Sequence, residues 1–412
     1  MTKLQQRLFW LLVFLLPVQF GRHFWPEWSY VMGLRIDYLS PTIYLTDILV
    51  VAILGLWGLE KISNFQLRSN KLRLFSTSNF LRRFWWVLAV FAYLLVNSFL
   101  AQNQGAALYK FAKIIEFALL GFYIAKNKIS LSMIHYPLSI AVVYSSLIAV
   151  TQFLKQASLG GVFWWLGERT FNAGTPGIAK AIVNGQLIMR PYATFPHPNV
   201  LAGFVLVSLI LIGVRSKVLG VRKILRWLAI ALGIVAISIS FSRSAWLVGL
   251  LSLLPITYYL LPTRRRFIII PSLILLCLIG VFYLGPQISA DEAFSQRLQL
   301  IKTAWLMIQA APLVGVGLSN FIVRLPDFWQ ITGFTYGLQP VHNINFLVAA
   351  ETGLVGLVIF LWFLFLTFRK LLEIGNKRSL LLRNCKLVIP LLAILLTGVT
   401  DHYWLTLQQS QL

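Results

Sequence analysis

Apolar runs long enough to cross a lipid bilayer recur along almost the whole chain. A membrane-spanning helix needs about 20 mainly apolar residues. Charged residues make up only 12% of the sequence, too few to cover the surface of a soluble protein of this length. About eleven runs meet the length requirement: 8–25, 41–59, 84–101, 107–125, 133–154, 198–214, 227–242, 245–262, 267–285, 343–368 and 387–404. The sequence therefore predicts an all-α, polytopic membrane protein with about 11–12 transmembrane helices, forming a single integral membrane domain over residues 1–412.

The positions of the basic residues explain the net charge of +24. Such a charge could indicate a nucleic-acid-binding protein, or it could mark the cytoplasmic loops of a membrane protein. If the N-terminus is cytoplasmic, roughly two thirds of the 36 Lys and Arg residues lie in cytoplasmic segments, which contain almost no acidic residues. The charge therefore predicts a topology, and nucleic acid is not expected as a partner.

Two segments predicted to lie on the outer side, 155–197 and 286–342, are much longer than the other outer connections. The cytoplasmic connections are short and basic, with no sign of a folded domain. We therefore expect the chemistry to face the outside, with these two segments forming the active-site region.

The second of these outer segments contains the stretch "SQRLQLIKTAWLMIQ". Its apolar residues recur at helical spacing on one face: Leu298, Ile301, Trp305 and Ile308. This pattern predicts an amphipathic helix, which either lies at the membrane interface or packs on the helix bundle. Gly315 and Gly317 follow and predict a turn or a close backbone approach.

Arginines on the predicted outer side are candidates for anion binding. The guanidinium group stays charged at any working pH, and its planar set of donors suits phosphate oxygens. Arg243 is the most informative, because the tip of a hairpin between two spans has little structural need for such a group. The alternative for each is an interfacial arginine bound to lipid headgroups. The candidates are Arg190, Arg243, Arg297 and Arg324.

Histidines and their neighbours form a second group of candidates. His342 stands at the mouth of an apolar span, where an imidazole can accept a proton, although a hydrogen-bonded interfacial anchor is the alternative. His197 lies between two prolines in "FPHPN", which favours a role in shaping the loop. Asp401 and His402 are adjacent and could orient one another or a substrate. Further possible substrate-binding residues are therefore His197, Asn199, Asn343, Glu351, Asp401 and His402.

Ionised side chains at bilayer depth are costly, so those within the predicted spans need partners. Lys113 and Glu116 are three residues apart in one helix, which predicts a pair on a shared face. Glu351 lies roughly on the opposite helix face from His342, so its partner is on another helix or it shapes the site. No H-E-x-x-H motif, paired cysteines or other metal-ligand spacing is present, so no metal is predicted.

Four stretches stand out by their order and spacing: "RPYATFPHPNVLAG", "SFSRSAWLVGLL", "RLQLIKTAWLMIQAAPLVGVGLSNF" and "VHNINFLVAAETGLVGL". Over residues 150–370 the chain resembles the O-antigen ligase and O-antigen polymerase superfamily. The resemblance implies a metal-independent membrane glycosyltransferase of the GT-C type, without cofactors. It also implies a large outer loop before the helix that starts near residue 343, and one more span than the sequence readily offers.

The resemblance further implies a reaction and residue roles. A glycan would pass from an undecaprenyl diphosphate carrier to an acceptor hydroxyl on a lipid or polysaccharide, at the outer face of the bacterial cytoplasmic membrane. His342 matches the family's essential histidine, the expected general base, while Arg190 and Arg243 match the arginines that engage the diphosphate. Ligase and polymerase are not distinguished. A transporter or flippase of an anionic lipid-linked glycan and a non-catalytic membrane scaffold remain the alternatives.

Overall fold

The computed structural model describes residues 1–68, 77–213, 220–260, 292–329, 337–373 and 378–412, together with residues 265, 268–272 and 275. The predicted span 267–285 therefore lies mostly outside the described residues. All statements about the fold below concern the described part of the chain.

Helices make up most of the described residues and follow the apolar runs of the sequence, which confirms the helical prediction. The first predicted span is shorter than expected, because its helix ends at Phe14, shortly before Pro17. In chain order the helices are α1 (Lys3–Phe14), α2 (Leu45–Arg68), α3 (Thr77–Leu100), α4 (Gln104–Lys126), α5 (Leu131–Lys155), α6 (Pro198–Gly213), α7 (Val221–Ile239), α8 (Arg243–Leu260), α9 (Glu292–Ala310), α10 (Phe321–Phe328), α11 (Ile344–Glu373), α12 (Arg378–Gly398), α13 (Tyr403–Thr406) and α14 (Gln408–Gln411).

Two of the described helices, α5 and α11, are long and apolar enough to cross a membrane. Shorter apolar helical stretches occur at Trp85–Leu100, Pro198–Gly213, Arg243–Pro255 and Leu387–Gly398. Large apolar side chains are exposed on α11, among them Val358, Trp362 and Phe363. Exposed apolar faces of this kind are expected where a helix contacts lipid rather than water. The number and direction of the membrane crossings stay predictions.

Helix α6 occupies the centre of the helix bundle. It packs against α5, α7, α8 and α12, and most of its residues are buried. One large apolar cluster joins α6 to α1, α2, α5 and α7, and a second joins α9, α10 and α11. The start of α6 is therefore held rigidly, which matters because it carries a residue of the site.

Short antiparallel hairpins interrupt the helices, so the all-α prediction is wrong in detail. The turn of the third hairpin is Asn184–Gly185, with φ of 51° and 79°, a residue pair that two-residue hairpin turns favour. The pairs are β1 (Gly21–His23) with β4 (Thr42–Tyr44), β2 (Tyr30–Val31) with β3 (Leu34–Arg35), and β5 (Lys180–Val183) with β6 (Gln186–Met189).

The predicted amphipathic helix is present as α9, but its buried face is rotated away from the predicted apolar stripe and shares Ile308 with it. That face packs on α11 and consists of Leu300, Thr303, Ala304, Met307 and Ile308. Leu298 and Trp305 from the predicted apolar stripe are instead 44% and 53% exposed. Thr303 tolerates burial because its hydroxyl donates to the carbonyl of Gln299 (2.9 Å) within the helix. The packing corresponds to the second alternative, a helix packed on the bundle.

Helix α11 is broken at Gly353, where φ is 66° and ψ is −177°. The loop after α9 repairs the broken backbone, since Val316 N–H donates to the Ala350 carbonyl (2.8 Å) and Leu354 N–H to that of Pro312 (2.7 Å). Gly315 allows this approach, because a Cβ there would lie 2.5 Å from the Ala350 carbonyl oxygen. The close backbone approach predicted for this loop is confirmed.

A buried charged cluster ties α2 to α4. Lys113 Nζ lies 3.1 Å from Glu116 Oε2, so the predicted pair is confirmed, and 2.5 Å from Asp47 Oδ2 on α2. The side chain of Gln408 on α14 also donates to Asp47. This contact anchors the segment that follows α12, from which two residues of the site project.

Candidate active site

One cavity of about 3720 Å³ collects most of the predicted site residues. It is lined by residues from both large apolar clusters. Two of the predicted site residues, Arg324 and Asn343, do not line this cavity. The predicted residues that do are Arg190, His197, Asn199, Arg243, Arg297, His342, Glu351, Asp401 and His402.

Two prolines and a histidine direct the chain into α6. Pro198 is the first residue of the helix, where its fixed φ and missing N–H cost nothing. His197 Nδ1 accepts the N–H of Asn199 (3.1 Å), and its carbonyl accepts that of Val200 (3.0 Å). This geometry fits the loop-shaping role predicted for His197, and it fixes the direction in which Asn199 enters the cavity.

Asn343 caps the start of α11 directly after His342. Its Oδ1 accepts the N–H groups of Asn345 (2.9 Å) and Phe346 (3.1 Å), and its Nδ2 donates to the carbonyl of Val399 (3.0 Å). The carboxamide is thus engaged in holding α11 to the end of α12. The geometry points to positioning of His342 rather than to substrate binding.

The carboxylate of Asp401 lies against the ring of His342, with 3.3 Å between Oδ1 and Nδ1. The same oxygen accepts the backbone N–H of His402 (2.8 Å), and Oδ2 accepts Nδ2–H of Asn199 (3.0 Å). A carboxylate at Nδ1 favours the tautomer that carries its proton there, which leaves the lone pair on Nε2. The pair can therefore accept a proton from a substrate and stabilise the resulting imidazolium.

Burial and charge decide which groups around Asp401 are ionised. Burial raises the pKa of the Asp401 carboxyl, but its hydrogen bond with His342 and the neighbouring histidines outweigh this and hold the pKa well below its usual range. Burial, reinforced by the charge of Arg190, lowers the pKa of His197 to about 3. Burial and the neighbouring His342 likewise lower the pKa of His402 to about 3. Near neutral pH the carboxylate is ionised, whereas His197 and His402 are neutral.

Arg190 is held from two sides. Its Nε donates to the carbonyl of Ser240 (2.6 Å), and its Nη2 donates to Oδ1 of Asn199 (2.7 Å). Burial lowers the pKa of Arg190 to about 10, and the charges of Arg297 and Arg243 act in the same direction, so the group stays charged near neutral pH. The three guanidinium groups therefore concentrate positive charge in one cavity, which suits an anionic ligand.

Arg324 serves a local contact outside the cavity. It lies on α10, where its Nε is 2.7 Å from Oδ2 of Asp327 and its guanidinium carbon 5.9 Å from the ring centre of Phe328. An i,i+3 ion pair combined with a ring contact explains the arginine without a substrate. The structure does not bring it to the other arginines.

Glu351 lines the cavity and also joins α11 to the loop before α10. Its Oε1 accepts the N–H of Phe321 (3.4 Å), and its backbone carbonyl accepts that of Gly317 (3.0 Å). A partner outside its own helix was one of the two roles left open by the sequence. Glu351 therefore holds the loop against the broken helix beside the cavity.

His342, Asp401 and His402 are the described residues whose ligand atoms come close enough to hold a metal ion, within 4.8 Å of one another. Two imidazoles and a carboxylate form a donor set that zinc accepts. However, Asp401 already accepts three hydrogen bonds, and the nearby arginines oppose the approach of a cation. The arrangement suits a proton-accepting pair beside an anion site better than a resident metal.

Several residues of this site lie in a stretch that matches a protein-family model. Residues 228–361 match the family model described as O-antigen ligase. The chain is therefore similar to O-antigen ligases over this stretch. The match confirms the resemblance to the O-antigen ligase and polymerase superfamily that the motifs predicted. No curated protein matches the chain.

The matched stretch contains Arg243, Arg297 and His342, whereas Arg190 precedes it and Asp401 follows it. The fold brings these flanking residues to the matched stretch. Sequence reasoning missed the contact between Asp401 and His342, because the residues are 59 positions apart and nothing in either local stretch points to the other. It also missed the Ser240 carbonyl that holds Arg190, since a backbone acceptor leaves no signal in the side chains.

Proposed function

We propose that the protein is a polytopic membrane glycosyltransferase that moves a glycan from an undecaprenyl diphosphate carrier to an acceptor hydroxyl. The match to the O-antigen ligase family model implies a glycan-processing membrane enzyme. The observation that carries the finer proposal is the pairing of His342 with Asp401 in the same cavity as Arg190, Arg243 and Arg297. A base and an anion clamp are the two elements that this transfer needs.

In the proposed reaction the acceptor hydroxyl attacks the anomeric carbon of the donor. The hydroxyl proton passes to Nε2 of His342, and Asp401 stabilises the imidazolium through Nδ1. The new carbon–oxygen bond forms as the bond to the diphosphate breaks, and the diphosphate leaves with the electron pair. Fixed guanidinium groups stabilise the charge that develops on it, and so take the part that divalent cations play elsewhere.

The proposed setting is the bacterial cytoplasmic membrane, crossed several times, with the N-terminus in the cytoplasm. Segments 155–197 and 286–342 would then form the active-site region on the outer side, where a lipid-borne donor arrives. The excess of basic residues in the predicted cytoplasmic segments supports this orientation. The acceptor is a lipid or a polysaccharide, and ligase and polymerase share the chemistry described above.

Transport of an anionic lipid-linked glycan is the second candidate. The break of α11 at Gly353 beside the cavity favours it, because transporters use interrupted helices near their substrate sites. A paired histidine and carboxylate has no evident use in moving a glycan unchanged. The two candidates differ in whether a glycosidic bond is made.

The test is to incubate the purified protein with a labelled undecaprenyl-diphosphate glycan and either a lipid or a polysaccharide acceptor. We expect a glycosylated acceptor and free undecaprenyl diphosphate. Arg243→Ala should abolish most of the transfer, and Arg243→Lys should be intermediate, because it keeps the charge but loses the planar donors. Arg324→Ala is the matched control, since that arginine lies outside the cavity. Donor that crosses proteoliposomes without any transfer would favour the transporter instead.

A further inference from the structure

Asn199 connects the anion clamp to the proposed base. Its Oδ1 accepts from Nη2 of Arg190 (2.7 Å), and its Nδ2 donates to Oδ2 of Asp401 (3.0 Å). Asp401 in turn contacts His342. A continuous run of hydrogen bonds therefore leads from an arginine of the clamp to the imidazole, and Asn199 is its central member.

The carboxamide of Asn199 satisfies both of its neighbours. Arginine can only donate and an ionised carboxylate can only accept, so Asn199 must turn its oxygen to Arg190 and its nitrogen to Asp401. A direct ion pair between Arg190 and Asp401 would neutralise the charge that a diphosphate needs and the charge that His342 needs. Asn199 holds the two opposite charges in place and keeps them apart.

The backbone of Asn199 is held in place as well as its side chain. The residue lies in the first turn of the buried helix α6, directly after Pro198, and its own N–H is bonded to His197. The backbone position from which its side chain reaches Arg190 and Asp401 is therefore fixed by α6. The two charged groups are aligned to a common, rigid reference point.

We propose that Asn199 is a positioning residue that couples the diphosphate clamp to the general base. The proposal rests on the proposed function and deepens it. Donor binding through Arg190 and proton acceptance through the His342–Asp401 pair then depend on the same carboxamide. Neither half keeps its geometry when that group is lost.

The first test is Asn199→Leu, which has nearly the same shape but can neither accept nor donate. Glycan transfer should fall by about 10–100-fold, the usual effect of leaving buried charged partners without their hydrogen bonds. Binding of inorganic diphosphate, measured separately, should weaken as well, because Arg190 is freed to pair with Asp401. Asn199→Asp should also lose transfer, since it still accepts from Arg190 but repels Asp401.

Asn97→Leu is the matched control for the loss of a buried carboxamide. Asn97 is buried as well, but it bonds the backbone at Val314 (2.6 Å) and Leu318 (2.8 Å), and it does not line the cavity. This variant should melt at a lower temperature and keep its transfer rate per folded molecule. A loss of transfer per folded molecule equal to that of Asn199→Leu would mean that the loss of any buried carboxamide has this effect, and would overturn the proposal.

Double variants separate coupling from independent effects. In an Asp401→Asn background, Asn199→Leu should cost little further transfer. In an Arg190→Ala background it should cost no further diphosphate affinity. Losses that simply add in both backgrounds contradict the coupling.

If the wild type binds diphosphate but transfers no glycan, the proposed function fails, whereas the link between Asn199 and Arg190 is still decided by the binding measurements. Should Asn199→Leu not fold, Asn199→Asp is used in its place.

Discussion

Replacing Asp401 with asparagine tests the proposed base without changing the size of the side chain. The carboxylate accepts three hydrogen bonds, from His342 Nδ1 (3.3 Å), from the N–H of His402 (2.8 Å) and from Nδ2 of Asn199 (3.0 Å). An amide has only one oxygen for these three donors, so at least one of them then faces an NH₂ group. The imidazolium of His342 also loses its counter-charge.

The expected loss follows from these contacts. A hydrogen bond to a buried charged group contributes about 1.5–3 kcal/mol, which corresponds to roughly 10–150-fold in rate. Where the asparagine also favours the wrong tautomer of the imidazole, the loss in other enzymes reaches about 10⁴-fold. We therefore expect Asp401→Asn to slow glycan transfer by about 10²–10⁴-fold.

The assay is single-turnover transfer of a labelled glycan by the purified protein, with inorganic diphosphate binding measured in parallel. Diphosphate affinity should change little, because Arg190, Arg243 and Arg297 remain. Asp327→Asn is the matched control, since Asp327 is half exposed and pairs with Arg324 outside the cavity. An Asp401→Asn variant that folds and keeps more than half of the wild-type rate would refute the role of this carboxylate.

Three further predictions concern stability and topology. His402 has a folded-state pKa of about 3 against an ordinary value of 6.5, so the unfolded chain binds more protons between these values. From this group alone, the free energy of unfolding should therefore fall as the pH drops below about 6.5, by up to roughly 1.4 kcal/mol per pH unit. His197 has the same folded-state pKa and acts in the same direction, so His402→Gln should lessen, but not remove, the fall of melting temperature with pH in detergent. Gly353→Ala should destabilise the protein by about 1–3 kcal/mol, because φ is positive there and the new Cβ would overlap a backbone carbonyl. Gly121→Ala is the control and should not destabilise the protein, because a Cβ at that position meets open space. Equal melting temperatures of the two variants would contradict this account. A cysteine in place of Lys180 should react with an impermeant thiol reagent in intact cells, whereas one in place of Arg222 should not; the reverse pattern would invert the proposed topology.

Features that depend on local composition could be predicted from the sequence. The helices follow from the length of the apolar runs, and the pairing of Lys113 with Glu116 follows from their spacing on one helix. The motifs around Arg243 and His342 were enough to indicate the family, because their order along the chain is itself informative. The Asn184–Gly185 pair is typical of a hairpin turn, but the prediction was based on the apolar runs and included no hairpin there.

Features that depend on contacts between distant segments could not be predicted. The buried face of α9 is set by its packing on α11, and the apolar side chains of Leu298 and Trp305 lie outside that face. Hydrophobicity alone therefore does not identify the inner face. Glycine is common in membrane helices, and Gly353 therefore gave no sign of a break. Asp401 looked like a partner of its neighbour His402, and only the fold brings it to His342.

The break in α11 has a consequence for how the protein is assembled in the membrane. Backbone groups that lack partners in lipid cost several kcal/mol each. Those around Gly353 find theirs in the loop 312–317 and in the side chains of Tyr93 and Asn97 on α3. The loop is made before the helix during synthesis, so its docking can accompany the entry of α11 into the bilayer. On its own, α11 would enter with a gap in its hydrogen bonding. Exchanges between related proteins should therefore keep residues 312–354 together, and with them the α3 that they contact.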